Sequence, residues 1–164
     1  MLEEEKMKKI EIKRFTVDDI YVSVLKAKLV KHEGGWMRFE EVRKTFEPTG
    51  SVLMDALGQV LLEDKGIIAK DFAKAVGAKS WVISWAFQWL TGMTLYEFLN
   101  QYRLKLACEW LTCTDLNIKE IARRSGYTSQ SKLTNMFAKR FGCTPREYRK
   151  ANRPANYAQL YEWE

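Results

Sequence analysis

Apolar side chains recur at helical spacing along most of the chain, and the longest such stripe lies near its middle. The stripe consists of Leu95, Phe98, Leu99, Tyr102, Leu106 and Leu111. Residues that return every three or four positions lie on one face of an α-helix. The spacing therefore predicts one long helix over residues 94–113.

An internal repeat flanks this stripe. Ala73 and Gly77 recur 49 positions later as Ala122 and Gly126. The pairs that follow recur at an offset of 50: Ile83 with Phe87 as Leu133 with Phe137, and Gly92 with Thr94 as Gly142 with Thr144. Each copy reads as a short helix, a glycine-bearing turn and a second helix with an inward i, i+4 apolar pair. The repeat therefore predicts two helix-turn-helix units, the second with one extra residue beyond its glycine.

Capping signals mark where the predicted helices begin. Thr94-Leu-Tyr-Glu97 and Thr144-Pro-Arg-Glu147 are both capping boxes, and the proline of the second stands at the first helical position. Asn117, with Glu120 three residues later, marks the start of another helix. The second helix of this helix-turn-helix should run from about Ser129 to Arg140.

These patterns predict an all-α protein with two helix-turn-helix subdomains, over residues 51–93 and 114–150, joined by a linker helix over 94–113. Residues 1–50 form an N-terminal extension that could serve regulation or dimerisation. Residues 151–164 form a tail that we expect to be ordered and to pack on the domain.

The sequence does not decide whether the N-terminal extension forms helices or strands. Helical spacing relates Val17, Ile20, Tyr21, Val24 and Leu25, and again Trp36, Phe39, Val42 and Phe46. Thr16 could cap the first of these helices, and we favour helix. The β-branched content of residues 17–30 and the alternation Ile10-Glu-Ile12 leave strands open. Gly34-Gly35 separates the two segments, and residues 47–50 read as a hinge.

Composition is that of a globular protein, with 46% hydrophobic and 29% charged residues in a chain of 164. No apolar run approaches the roughly 18 residues that span a bilayer. The start Met1-Leu2-Glu3-Glu4-Glu5 has the wrong charge for a secretory signal. We expect a cytoplasmic protein with no membrane partner.

Side chains for catalysis are scarce. The three cysteines, Cys108, Cys113 and Cys143, form no CxxC pair, and His32 is the single histidine. This argues against a metal site and against Ser/His or Cys/His hydrolysis, and no glycine-rich phosphate loop is present. We therefore expect no enzyme activity, no metal and no cofactor.

Positive charge is concentrated in one segment. Of the net charge of +6, residues 119–150 carry 9 Lys and Arg against 2 Asp and Glu, whereas residues 51–118 carry 6 against 7. A basic cluster of this kind is typical of a surface that meets nucleic-acid phosphates, although charge alone fits a solvated face equally well.

Three stretches of the chain resemble a known family. Residues 92–107, 118–137 and 142–149 look like the DNA-binding domain of AraC/XylS-type transcription regulators, and the resemblance covers about residues 51–150. It implies that each unit inserts its second helix into the major groove on one face of the duplex. Grooves on one face recur about every 34 Å, one helical turn.

The resemblance implies a set of DNA contacts in the second unit. The base-reading residues would be Gln130, Ser131, Lys132, Thr134 and Asn135. The phosphate contacts would be Lys119, Arg123, Arg124, Arg140, Arg146 and Arg149, with the N–H groups at the helix that starts at Thr144. Asn135 stands where many relatives carry arginine, which favours adenine over guanine at the matching base.

The first unit departs from the family pattern. Its second helix presents Trp81, Trp85 and Trp89 at intervals of four, and we call these three residues the tryptophan stripe. Ser84 and Trp85 match base-contacting positions, and Trp81 matches a position where tryptophan occurs in small relatives. The stripe could pack against residues 1–50 or a second chain, touch thymine methyls in the groove, or be ordinary core.

The sequence thus favours a sequence-specific regulator that reads double-stranded DNA with two recognition helices, with RNA polymerase as a further partner. The alternative is a protein-interaction module that uses the tryptophan stripe, with DNA binding confined to the second unit.

Overall fold

The structure is a computed structural model that describes residues 13–163. In chain order its helices are α1 (Val52–Glu63), α2 (Ala69–Ala75), α3 (Ser80–Thr91), α4 (Leu95–Cys113), α5 (Ile118–Arg124), α6 (Gln130–Phe141), α7 (Pro145–Asn152) and α8 (Tyr157–Leu160). Its strands are β1 (Leu25–Lys31), β2 (Met37–Glu41) and β3 (Tyr161–Trp163). The predicted helical class is confirmed, with a small sheet added to it.

Both predicted helix-turn-helix units are present, as α2–α3 and α5–α6. The turn spans residues 76–79 in the first unit and 125–129 in the second, so the extra residue of the repeat lies in the turn. Gly77 and Gly126 both adopt left-handed backbone, with φ of 68° and 83°. This conformation is open to glycine at little cost, which explains why glycine recurs there.

The linker helix α4 runs from Leu95 to Cys113 with Thr94 as its N-cap, and its capping box is complete. The Glu97 carboxylate accepts from the Thr94 backbone N–H at 2.8 Å, and the Thr94 hydroxyl oxygen accepts from the Glu97 N–H at 3.2 Å. Thr144 and Glu147 repeat the arrangement at the start of α7. These hydrogen bonds lower the pKa of both glutamates.

Helix α4 supplies side chains to two separate hydrophobic cores. Phe98 and Tyr102 are fully buried in the first core, with α1, α2 and α3. Ala107 and Leu111 are buried in the second core, with α5 and α6. The two units are therefore folded on successive halves of one rigid helix.

The helices predicted in the N-terminal extension are wrong. Thr16 does begin a helical turn, because the Asp19 carboxylate accepts from its backbone N–H at 2.7 Å, but the 3₁₀ turn ends after Val17–Asp19. The chain then forms the antiparallel hairpin β1–β2, whose turn contains Gly35 with φ of 80°. The alternation Ile10-Glu-Ile12 lies outside the described residues.

The C-terminal tail completes the sheet. Strand β3 pairs antiparallel with the free edge of β1, which gives the strand order β2-β1-β3. Trp163 packs edge-on against Trp110 of α4, with 5.6 Å between ring centroids. The hairpin and the tail therefore form one layer over the linker helix.

Candidate nucleic-acid interface

Helix α6 is amphipathic and is fixed to the second core by one apolar face. The Ser129 hydroxyl oxygen caps it by accepting from the Lys132 N–H at 3.1 Å. Leu133 and Phe137 are fully buried, as their spacing predicts. Most of the other side chains of the helix are polar, including those of its first turns.

The five predicted base-reading residues lie together on the first turns of α6. Gln130, Ser131, Lys132 and Asn135 are exposed, and Thr134 is half-buried. The Thr134 hydroxyl donates to the Gln130 carbonyl at 3.0 Å, so its oxygen remains available as an acceptor. This face offers amide, hydroxyl and ammonium groups, the chemistry that reads base edges.

Three of the predicted phosphate contacts are exposed cations. Lys119 lies on α5, Arg140 near the end of α6 and Arg146 on α7. Within residues 13–163, none of the three forms an ion pair. Their charge is therefore available to an external anion.

Arg123 and Arg124 both pair with one carboxylate. Arg123 donates to the two Glu120 oxygens at 2.6 and 3.0 Å, and Arg124 donates to one of them at 2.7 Å. These bonds lower the pKa of Glu120 to about 2. Arg124 also lies over the ring of Trp110, 5.3 Å from its centroid. Both guanidinium groups are thus oriented by the fold.

Arg149 is used inside the fold. Its guanidinium donates to the Leu111 carbonyl at 3.2 Å and to the Leu116 carbonyl. Burial lowers its pKa. Arg149 therefore holds α7 against the end of α4, a role that differs from the predicted phosphate contact.

The tryptophan stripe of α3 is exposed. Trp81, Trp85 and Trp89 are 69%, 64% and 61% exposed, while Ile83 and Phe87 are buried. The interpretation of the stripe as ordinary core is therefore wrong. Residues 13–50 do not cover it either, and residues 1–12 lie outside the described part of the chain. Contact with the DNA groove and packing against a second chain are the interpretations that we carry forward.

Helix α3 carries no charged side chain over its length, Ser80–Thr91. The Ser84 hydroxyl donates to the Ser80 carbonyl at 2.9 Å. The rings of Trp85 and Trp89 lie 6.2 Å apart in a tilted arrangement. This face differs from that of α6, because it offers apolar surface where α6 offers polar donors.

The repeat geometry, with α3 and α6 exposed at equivalent positions, agrees with the comparisons. Residues 72–151 match a family described as a helix-turn-helix domain. The chain is 38% identical over 77 residues to the regulatory protein SoxS of Salmonella typhimurium, which is 47% of this chain and 72% of SoxS. The chain belongs to the AraC/XylS-type family of transcription regulators. The resemblance drawn from the sequence is confirmed.

A further relative and two solved structures are also similar to this chain. The probable transcription factor PqrA of Proteus vulgaris is 33% identical over 89 residues, 54% of this chain and 73% of PqrA. The C-terminal domain of the response regulator AraT from Geobacillus stearothermophilus has a TM-score of 0.61 at 24% identity, over 67% of this chain and 93% of that domain. The DNA-binding domain of AdpA, solved with a target DNA, has a TM-score of 0.57 at 24% identity, over 60% of this chain and 90% of that chain. At these identities the structures show the fold.

One buried contact of this AraC/XylS-type chain was not predicted from the sequence. Arg103 of α4 donates to the carbonyls of Lys65 and Ile67, at 2.9 and 2.5 Å. The same loop, residues 64–68, lies against the turn of the second unit, because a Cβ at Gly126 would lie 2.2 Å from the Lys65 oxygen. We call Arg103, this loop and Gly126 the interunit clamp. The clamp joins the two helix-turn-helix units through backbone atoms. No local sequence pattern indicates these contacts.

The described part of the chain offers little else for chemistry. No helix between residues 13 and 163 is long and apolar enough to cross a membrane. In the same range, no group of three His, Cys, Asp or Glu side chains could hold a metal ion. Burial raises the pKa of the Cys108 and Cys113 thiols, so both are weak nucleophiles.

Proposed function

We propose that this chain regulates transcription by binding double-stranded DNA sequence-specifically, with α6 and α3 in successive major grooves. The observation that carries the proposal is the exposed polar face of α6, together with three exposed cations, Lys119, Arg140 and Arg146, that form no ion pair within residues 13–163. An α-helix fits the major groove of B-DNA, and two helices on one face of the duplex reach grooves about 34 Å apart. Two recognition helices in one chain are sufficient for a monomer to occupy such a site.

The side chains of α6 suit direct readout of bases. Gln130 and Asn135 can pair bidentately with the N6 and N7 atoms of adenine. Lys132 can donate to guanine, and the hydroxyls of Ser131 and Thr134 can serve either base. The exposed cations beside them would fix the register of the protein on the duplex without reading sequence.

Replacing Asn135 by alanine should relax base preference at one step of the binding site. We expect the variant to lose about 1–3 kcal/mol of binding free energy on the duplex with the preferred base, and much less on the duplexes with the other three bases. The measurement is a titration of variant and parent against four duplexes that differ at that step.

Asn152 on α7 provides a matched control, because it is also an exposed asparagine but lies outside the recognition helix. Asn152→Ala should leave the preference unchanged. If Asn135→Ala discriminated among the four duplexes as well as the parent does, Asn135 would not read a base.

Replacing Arg146 by glutamine should weaken binding to all sequences equally. Loss of one phosphate contact reduces the slope of log K against log salt concentration by about 0.9 for B-DNA. Binding measured at several salt concentrations tests this, with Arg38→Gln in strand β2 as a control that should leave the slope unchanged. An unchanged slope for Arg146→Gln would place this cation away from the DNA backbone.

The tryptophan stripe is the part of α3 that would enter the groove. Trp81 and Trp85 can contact thymine methyl groups and sugars, although residues 51–118 carry a net charge of −1 and attract DNA weakly. The three exposed indoles support the alternative function. Together they form a contiguous apolar face with more exposed apolar area than a single exposed residue has. In that case the stripe binds a protein, and only the second unit binds DNA.

Replacing Trp85 by arginine separates these two functions. If α3 lies in the groove, arginine should shift the preference at one base step toward guanine by about 1–3 kcal/mol. Selection of sites by parent and variant measures this shift. Trp36→Arg, at an exposed tryptophan of the hairpin turn, controls for the added charge.

An identical site for the Trp85→Arg variant would favour the protein-binding function of α3. The proposal places the protein in the cytoplasm, where it meets DNA and RNA polymerase. Whether it activates or represses would then follow from the position of its site relative to the promoter.

A further inference from the structure

Strand β2 lies at an edge of the sheet and has one open side. The strand order β2-β1-β3 gives it β1 as a neighbour, and no other strand of residues 13–163 pairs with it. At the two ends of the β1–β2 ladder, the His32 N–H donates to the Trp36 carbonyl at 3.0 Å, and the Val42 N–H donates to the Lys26 carbonyl at 2.9 Å. Because hydrogen-bonded pairs alternate along an antiparallel ladder, every second residue of β2 between these ends bonds to β1.

The other residues of β2 turn their backbone groups to the open side. By this alternation the N–H and C=O groups of Arg38 and Glu40 face β1. Those of Met37, Phe39 and Glu41 point away from β1. Met37 is 61% exposed and Phe39 is 43% exposed, so apolar side chains accompany this row. Backbone donors and acceptors at an open edge are a template for a further strand.

The side chains of β2 are complementary to a second, antiparallel copy of the same strand. In the register that places Phe39 opposite Phe39 of the second copy, Arg38 lies opposite Glu40 in both halves of the ladder. Moving the two-fold axis by one residue would place Arg38 opposite Arg38, or Glu40 opposite Glu40. Opposite charges and aromatic pairs across a ladder are favourable, and like charges are unfavourable. The charge pattern therefore selects the register centred on Phe39.

Within one chain, Arg38 and Glu40 are already in contact at an exposed site. Arg38 donates to one Glu40 oxygen at 3.3 Å through two of its nitrogens, and the same oxygen lies 2.9 Å from the His32 Nε2. The guanidinium carries further N–H donors, and the Arg38 side chain is 62% exposed. Pairing of two copies would place each guanidinium between a carboxylate of its own strand and one of the second copy. The four charges would alternate in sign, so no charge is left uncompensated.

We propose that a second copy of this chain pairs with the open edge of β2, as an antiparallel two-fold dimer centred on Phe39. The outward backbone groups of residues 37, 39 and 41 bond to the same groups of the second copy, which makes the interface self-complementary. A strand of 5 residues covers less area than the roughly 800 Å² per partner of a stable interface. The dimer therefore forms at high protein concentration, well above that of a DNA titration.

Sedimentation of the full chain without DNA tests this pairing. Over about 5 µM to 1 mM protein, the range of weak association, the mean mass should rise toward that of a dimer. Arg38→Glu places like charges opposite each other in both halves of the ladder, and so does Glu40→Arg. Each variant alone should raise the dissociation constant at least about tenfold.

A mixture of the two variants is the decisive sample. A chain with Arg38→Glu opposite a chain with Glu40→Arg again faces opposite charges at both positions, so the mixture should associate about as tightly as the parent. A folding defect in either variant would not produce this recovery. Lys26→Glu reverses an exposed charge on the central strand β1, and should leave the dissociation constant unchanged.

Three results would overturn the proposal. The first is a parent chain that stays monomeric up to about 1 mM, which would leave the edge to a strand of another protein. The second is an association that both charge reversals leave unchanged, as expected if two copies met through the tryptophan stripe. The third is a mixture that associates as weakly as its components. The experiment contains no DNA, so its failure is distinct from a failure of the proposed regulation.

Discussion

Replacing Gly126 by alanine is expected to destabilise the protein by more than about 3 kcal/mol. Two costs add at this position. The backbone φ of 83° is left-handed, which costs an L-residue about 1–2 kcal/mol. The new Cβ would also lie 2.2 Å from the Lys65 carbonyl oxygen and 2.9 Å from the Gly66 nitrogen, and backbone atoms cannot move aside as a flexible side chain can.

Thermal unfolding of the variant measures the effect, and the first repeat provides a matched control. Gly77 occupies the equivalent position, with φ of 68°, but among residues 13–163, apart from its two chain neighbours, no atom lies within 4 Å of its added Cβ. Gly77→Ala should therefore cost only the backbone strain, about 1–2 kcal/mol. Equal losses of unfolding free energy for the two variants would show that the turn of the second unit does not pack closely against the 64–68 loop.

Replacing Arg103 by methionine is expected to destabilise the protein by about 2–4 kcal/mol. The side chain donates to the carbonyls of Lys65 and Ile67, and the second of these bonds is buried. Methionine fills much of the same volume but donates no hydrogen bond, so both carbonyls lose their partner. Burial lowers the pKa of Arg103, because a buried guanidinium loses its contact with water. Part of the free energy gained from the two hydrogen bonds therefore offsets the cost of burying this charge.

Denaturant unfolding measures this loss, with Lys105→Met as a control on the same helix. Lys105 pairs with Asp18 at an exposed site, and such pairs contribute at most about 1 kcal/mol. If the two methionine variants unfolded at the same denaturant concentration, Arg103 would not hold the 64–68 loop on the linker helix.

The helix-turn-helix units could be predicted because their determinants are local. The capping box at Thr94 uses groups three residues apart, and the glycine at position 126 is required by the backbone of its own turn. The buried pair Leu133 and Phe137 fixes the phase of α6, and this phase determines which side chains remain outside. The face that we propose to read DNA is therefore encoded within about one dozen residues.

The fold of the extension could not be predicted, because its determinants are distant in the chain. Strand β1 pairs with β3, more than 130 residues later. Tyr21, Ser23 and Val24 all donate to the carboxylate of Glu109, which fixes the segment between the 3₁₀ turn and the hairpin to α4. The apolar spacing that favoured a helix depends on neighbouring positions alone, so it gives no information about these distant partners.

The roles of individual arginines also could not be predicted from the sequence. Arg149 and Arg103 each donate to two backbone carbonyls, whereas Arg146 is exposed without an ion pair inside the described residues. A guanidinium can serve a carbonyl, a carboxylate or a phosphate with the same donors. Its role depends on what the fold places beside it.

Selection of the full chain on random duplex DNA tests most directly whether both units read DNA. If they do, two blocks should be enriched whose centres lie about 10–10.5 base pairs apart, one helical turn, with a preference for adenine in one block. Binding to the enriched site should fall steeply with salt. A single enriched block with a shallow salt dependence would contradict DNA reading by both units and leave α3 to a protein partner.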